Sequence, residues 1–279
     1  MSTILNFHVS ILGISIPLVW IVGALFFLNL LWFIIKKVKF FNFHLSSKAV
    51  TMDTSTELDP KRQAWIAKGS NLSSQNGLIL NTLETGAPRE VVYKYLYEDW
   101  GLTTKEEIFE TVNQLLSGSK AEAEIFNLLT EIRSTNTPDQ WEAVFAKKLR
   151  VDGTSEKDIE HLLGFMNLVK EIELRMHQDV LLGKDFVQSI DSYDLQRAIN
   201  ISRWAYQLSL LSDSEAWEII EKAASLIKSK YQSYAESSVG YIMGRVIFSG
   251  EIDEFYETQL ECHRKLLSDP SSPWLTLPW

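Results

Sequence analysis

The apolar positions of this chain fall into two regimes. Residues 11–35, ILGISIPLVWIVGALFFLNLLWFII, run for 25 positions without a charge. At a rise of about 1.5 Å per residue, that is enough helix to cross a hydrocarbon core of about 30 Å. The run predicts one N-terminal transmembrane helix over 11–35, preceded by a short segment, 1–10. A cleaved secretory leader fits less well, because no basic residue precedes the run and no small-residue cleavage motif follows it. Trp32 falls near the end of the span, where an indole suits the membrane interface.

Beyond the run, residues 43–62 are poor in large apolar side chains and rich in Ser and Thr, so 36–61 reads as a basic flank and linker. From Arg62 onward apolar residues recur at helical spacings, and the alternation of strands is missing. The body, 62–279, is read as an all-α, multi-helix globular domain. The pattern predicts helices over Arg62–Gly69, Gln75–Thr85, Arg89–Glu98, Thr104–Leu116, Lys120–Arg133, Pro138–Leu149, Glu156–Met176, Ser192–Leu210, Asp213–Tyr231, Ser233–Ser249 and Ile252–Leu267. Thr104-x-x-Glu107 and Ser212-x-x-Glu215 are capping boxes, and Gly118 and Gly153 suit helix stops.

Charge sharpens this division. Residues 1–50 hold Lys36, Lys37, Lys39 and Lys48 and no acid, whereas the remaining 229 residues carry 23 basic against 36 acidic groups. Lys36, Lys37 and Lys39 directly follow the apolar run, so the positive-inside rule predicts a single-pass protein of the inner (cytoplasmic) membrane, N-terminus outside and body in the cytoplasm. A body this acidic repels nucleic acid, and no nucleic-acid partner is expected. Cys262 is the only cysteine, and the five histidines show no metal-ligand spacing, so neither a thiolate zinc site nor another metal site is expected. No cofactor signature, phosphate loop or nucleophile elbow is present.

The most informative stretch is DSYDLQRAINISRWAYQLSLLSDSEAW, residues 191–217. On a helix, positions 194, 197, 201, 204 and 208 share one face. Asp194 and Arg197 therefore sit at the start of a stripe that carries Trp204. They read as an ion pair that fixes helix register, as part of a polar cleft that includes Tyr193, or as solvent-exposed groups. Arg203 points to another side, where it suits stacking or an acid such as Glu215 or Glu218. Further on, Gly240-x-x-x-Gly244 permits close backbone approach, and Arg245 beside it suits an anion. The terminal SPWLTLPW is expected to fold back on the helices. Trp204, Trp217, Gly240 and Gly244 are assigned structural roles.

Asp194-Leu195-Gln196-Arg197, Ser202-Arg203-Trp204, Ser212-Asp213-Ser214-Glu215-Ala216-Trp217, Gly240-Tyr241-Ile242-Met243-Gly244-Arg245 and Ser272-Pro273-Trp274-Leu275-Thr276-Leu277-Pro278-Trp279, in this order, resemble the bacterial domain-of-unknown-function 1266 family. The resemblance covers roughly residues 95–279. It implies a mainly helical bacterial domain, sometimes membrane-tethered, and supplies no catalytic residues. It does direct attention to Asp194, Arg197, Arg203 and Arg245 as matching polar positions.

Three functions are compatible with the sequence. The leading expectation is a membrane-tethered protein whose helical domain acts by protein–protein interaction, with the membrane engaged through residues 11–35. The second is an enzyme with a polar cleft around Asp194, Arg197, Arg203 and Arg245. The third is a toxin or immunity component in bacterial conflict.

Overall fold

A computed structural model describes residues 8–11, 14–17, 50–118, 121–183, 185–249 and 252–279. The chain divides into two compact units, Met1–Ser46 and Ser47–Trp279. In the first, β1 (His8–Ile11) and β2 (Ile14–Pro17) form an antiparallel pair in which His8 faces Pro17 and Ile11 faces Ile14. This departs from the helix predicted from residue 11. Val9-Ser10-Ile11 and Ile14-Ser15-Ile16 alternate β-branched apolar residues with serine, which is the period of a strand. The rest of the predicted span, 18–35, and the lysines after it lie outside the described residues. Among the described residues no helix is long and apolar enough to cross a membrane.

The second unit is helical. Its elements are α1 (Pro60–Ala67), α2 (Ser70–Gln75), α3 (Arg89–Tyr93) running into a π-helical turn (Lys94–Asp99), α4 (Lys105–Ser117), α5 (Ala121–Thr135), α6 (Trp141–Val151) and α7 (Glu156–Gln178). They are followed by α8 (Asp191–Gln207), α9 (Asp213–Lys230), α10 (Tyr234–Ser249), α11 (Ile252–Ser268) and α12 (Pro273–Thr276). Thr104 and Ser212 close both expected capping boxes, and Gly118 ends α4 in the left-handed region at φ 61°. These local signals bind orphan backbone donors at helix starts, so they act wherever the helix ends up.

Helix α8 is the hub, packing against α2, α3, α4, α9, α10 and the π-turn. From Ser192 to Ala205 every residue except Arg197 is buried. A single apolar stripe does not describe such a helix. Its polar positions are instead consumed internally. Gln196 and Asn71 exchange hydrogen bonds, the Asn71 amide nitrogen donates to Ser238, and the Ser73 hydroxyl donates to the Asn200 side-chain oxygen at 2.7 Å. Ser192 meets Ser237, and Ser238 meets His263, so one polar seam ties α2, α8, α10 and α11 together. Asn71, Ser73, Ser192, Gln196, Asn200 and Ser238 are thereby paired, which is the condition for tolerating them in the interior.

Two segments differ from their predicted form. The described part of the predicted linker, from residue 50, packs on the helices: Val50 and Met52 lie against Ala67, Leu80 and Trp274, and the Asn81 side chain bonds both backbone groups of Asp53. Residues 76–88, predicted to be helical up to Thr85, form a loop with Gly77 at φ 66° and Gly86 at φ 73°. Gly86 has no room for a β-carbon, which would stand 2.6 Å from Ile79. The carbonyls that a helix would have used point to Arg203.

The α5–α7 segment builds a core of its own around Phe126, Phe145, Met166 and Met176, shared with Ile242, Val246 and Leu260 of α10 and α11. At the other end the C-terminal segment folds back as expected. Trp274 stacks on Tyr234 at 5.9 Å and donates its indole N–H to the Ala67 carbonyl.

Candidate functional site

The four polar residues singled out by sequence separate into two places. Arg203 is fully buried and, among the described residues, is in no ion pair. Its guanidinium donates to the carbonyls of Ile79 at 2.6 Å and Thr82 at 3.1 Å, with weaker contacts to Leu83 and Glu84, and to the Ser73 hydroxyl at 3.0 Å. Burial pulls its pKa down to about 9. The expectation of Glu215 or Glu218 as its partner is corrected: Glu215 is held by Lys105 and by its own capping box, and carbonyl dipoles surround Arg203 instead. The residue clamps the 76–88 loop to α8 and lies outside the cleft.

Asp194, Arg197 and Arg245 come together. Asp194 and Arg197, three residues apart on α8, form an ion pair. The Arg197 guanidinium lies 3.9 Å above the Tyr193 ring and 5.2 Å from the Trp100 ring. Arg245, from α10, donates to the Tyr193 hydroxyl at 3.2 Å and sits 4.2 Å over the Phe255 ring. Tyr193 thus holds one arginine on its face and the other on its hydroxyl. Among the described residues no carboxylate pairs with Arg245.

Glycines set this spacing. A β-carbon on Gly244 would stand 2.6 Å from the Tyr193 β-carbon, and one on Gly240 would stand 2.6 Å from the Ser189 carbonyl. Both positions let α10 approach the start of α8, which brings Arg245 to Tyr193.

Arg197 and Arg245 line a cavity of about 410 Å³ between α2, the π-turn, α8 and α10. Tyr193, Tyr241 and Trp204 form its inner wall, Tyr95 and Trp100 flank it, and Leu72, Gln75, Asn76 and the exposed Asp99 complete it. The π-helical turn is what presents Tyr95, Asp99 and Trp100 together, since its wider turn aligns positions four and five apart. Tyr95 and Trp100 carry no site signal of their own in the sequence. Their cue is the aromatic density of Tyr93-Lys94-Tyr95-Leu96-Tyr97-Glu98-Asp99-Trp100, which reads equally as core.

The charged side chains that line the cavity are Arg245, Asp99 and Arg197, the last already paired with Asp194. Burial moves the Arg197 pKa below the ordinary arginine range, Tyr193 and Tyr241 partly oppose this, and the charge of Arg245 adds to the depression. Burial and then Asp99 push the Tyr95 phenol up to about 12, so it stays protonated and able to donate. Three residues that line the cavity each carry a buried donor, Arg197 Nε, Arg245 Nε and the Trp204 indole N–H, with no hydrogen-bond partner among the described residues. Native structures leave few such groups unpaired, and a ligand or ion is one recognised explanation.

Among the described residues no Ser, Thr, Cys, Lys or His lines the cavity, and Asp99 is its one carboxylate. Among the described residues no group of His, Cys, Asp and Glu is placed to hold a metal ion. Trp217 lies elsewhere: it donates to Asp213, contacts Trp65 at 6.4 Å and carries Arg62 over its ring.

No curated protein and no solved structure matches the chain. A family match does exist, and it covers residues 95–279, which include α8, α10, Asp99, Trp100 and both cleft arginines. By that match the chain belongs to the family described as Protein of unknown function (DUF1266).

Proposed function

We propose that the helical body is a receptor for a small anionic ligand, held in the cleft between α8, α10 and the π-turn. The observation that carries this is the placement of Arg197 and Arg245 on Tyr193, with two guanidinium Nε–H groups and the Trp204 indole N–H left without acceptors among the described residues. Asp194 already pairs with Arg197, so Arg245 carries the unmatched positive charge of the cavity, and an anion beside it balances that charge and offers acceptors. The lining supports binding rather than turnover, because it holds donors and rings but no Ser, Cys, Lys or His among the described residues. The acidic body and the lack of a catalytic signature favour passing ligand occupancy to a protein partner. Titration of the protein with inorganic phosphate, followed by tryptophan fluorescence, tests the receptor reading. Saturable quenching that is lost in Arg245→Gln and retained in part by Arg245→Lys is expected; an unsaturable response, or one unchanged by Arg245→Gln, overturns it.

The membrane tether is a separate proposal, supported by the charge-free run 11–35 and by Lys36, Lys37 and Lys39 after it. The full chain is expected to remain with membranes under alkaline carbonate extraction. Release into the supernatant overturns the tether and leaves the cleft untouched.

A further inference from the structure

Building on the receptor reading, we infer that the cleft takes a nucleoside monophosphate-like ligand: a phosphate seated at Arg197 and Arg245, carried on a planar nitrogen heterocycle that lies against the Trp100 and Tyr95 rings. The cavity of about 410 Å³ lies within the roughly 300–1,000 Å³ typical of small-molecule sites and is far more than a bare inorganic anion fills. Its wall is unusually aromatic for a simple anion site, with Tyr95, Trp100 and Trp204 beside the two arginines. Such rings bind planar heterocycles by stacking whatever their identity.

Two polar groups extend the match. The Asn76 side-chain amide makes no hydrogen bond of its own among the described residues, and it offers one donor and one acceptor in a single plane, the pattern presented by a base edge. Asp99, exposed at the cavity wall and in no ion pair among the described residues, would repel a second phosphate but accepts sugar hydroxyls readily. A monophosphate therefore fits better than a polyphosphate. The acidic surface that argues against a nucleic-acid polymer does not oppose a single nucleotide, which meets only the local charge of the cleft.

The test compares four probes on the full-length protein: adenosine monophosphate, adenosine, phenyl phosphate and inorganic phosphate. Adenosine monophosphate is expected to bind at least about tenfold more tightly than inorganic phosphate, from the added stacking of one base. Adenosine and phenyl phosphate should each be weaker than the nucleotide. Trp100→Leu is expected to bring the nucleotide down towards the affinity of phosphate, and Arg245→Gln to abolish binding of both. If all three phosphorylated probes bind alike, the heterocycle claim fails while the anion receptor stands. If adenosine binds as tightly as its monophosphate, the placement of the phosphate on Arg197 and Arg245 fails. If none of the four binds, both readings fall together.

Discussion

The Arg203 guanidinium donates to the Ile79 carbonyl at 2.6 Å from a position 124 residues further along the chain. A buried charge is tolerated here because backbone dipoles of the 76–88 loop converge on it, with the Ser73 hydroxyl as an additional acceptor. Gln207 takes the Ala87 carbonyl of the loop, and the Arg203 side chain satisfies those of Ile79 and Thr82. Replacement by an apolar residue of similar length leaves those carbonyls buried and unpaired. Arg203→Met is expected to lower stability by about 3 kcal/mol or more. Urea denaturation measures the loss, and faster exchange at the Ile79 and Thr85 amides would place it in the loop.

Trp204 separates packing from binding. Only 2% of it is exposed, and the Tyr95 ring lies 5.2 Å away. Trp204→Ala should cost about 3–5 kcal/mol, as expected for emptying an aromatic site in a core. Trp204→Phe keeps most of the volume and removes an indole N–H that has no partner among the described residues. Its stability should change by less than about 1.5 kcal/mol while phosphate affinity falls. Equal affinity in the phenylalanine variant would remove the indole from the account of binding.

The contrast between Thr104 and Arg203 explains what was legible in the sequence. Thr104-x-x-Glu107 and Ser212-x-x-Glu215 act within four residues, and the helices they start stand within a residue or two of their predicted bounds. Arg203 acts across the fold on carbonyl oxygens, which every residue carries and which leave no mark in a sequence. The sequence therefore predicts a helix over Gln75–Thr85 where the structure has a loop from residue 76. The site divided in the same way. Asp194 and Arg197 are neighbours on one helix and could be joined by periodicity, and Gly244 announced close approach. That Arg245 meets Tyr193 depends on how α10 crosses α8, and that Trp100 faces Arg197 depends on a π-turn; neither has a local spacing rule. At the N-terminus the length of the apolar run predicts helix from residue 11, yet β1 and β2 follow the serine alternation of residues 9–16.

Gly244 positions the two arginines through Tyr193. The β-carbon of an alanine there would come within 2.6 Å of the Tyr193 β-carbon and 3.2 Å of the Ile190 carbonyl. Tyr193 carries both guanidinium groups, so a shift in α10 is expected to reach the cleft. Gly244→Ala should lose about 1–3 kcal/mol by overpacking and weaken phosphate binding at the same time. Destabilisation with unchanged affinity would show that α10 yields without moving Tyr193.

His263 gives the body a pH dependence of known sign. Burial first, and then the charge of Arg264, hold its imidazole down at about 4, and its Nδ1 faces the Ser238 hydroxyl at 2.8 Å. Between the unfolded value near 6.5 and that folded value, the unfolded chain binds a proton that the folded chain does not. Its contribution is fully present above pH 6.5 and is lost as the pH falls through the window. Stability should drop by about 2 kcal/mol from pH 6.5 to 5, and His263→Gln should flatten that slope. An equal slope in the variant would assign the effect to other groups.

The central claim is that the unpaired donors of Arg197, Arg245 and Trp204 serve one anion. Heteronuclear NMR of arginine Nε–H and indole N–H groups during titration with inorganic phosphate observes those donors themselves. The Arg197, Arg245 and Trp204 signals are expected to move along a single saturation curve, while those of Arg203 and Trp217, already bonded to Thr82 and Asp213, stay in place. Signals that do not move, or that move equally for Arg203 and Trp217, would contradict the account.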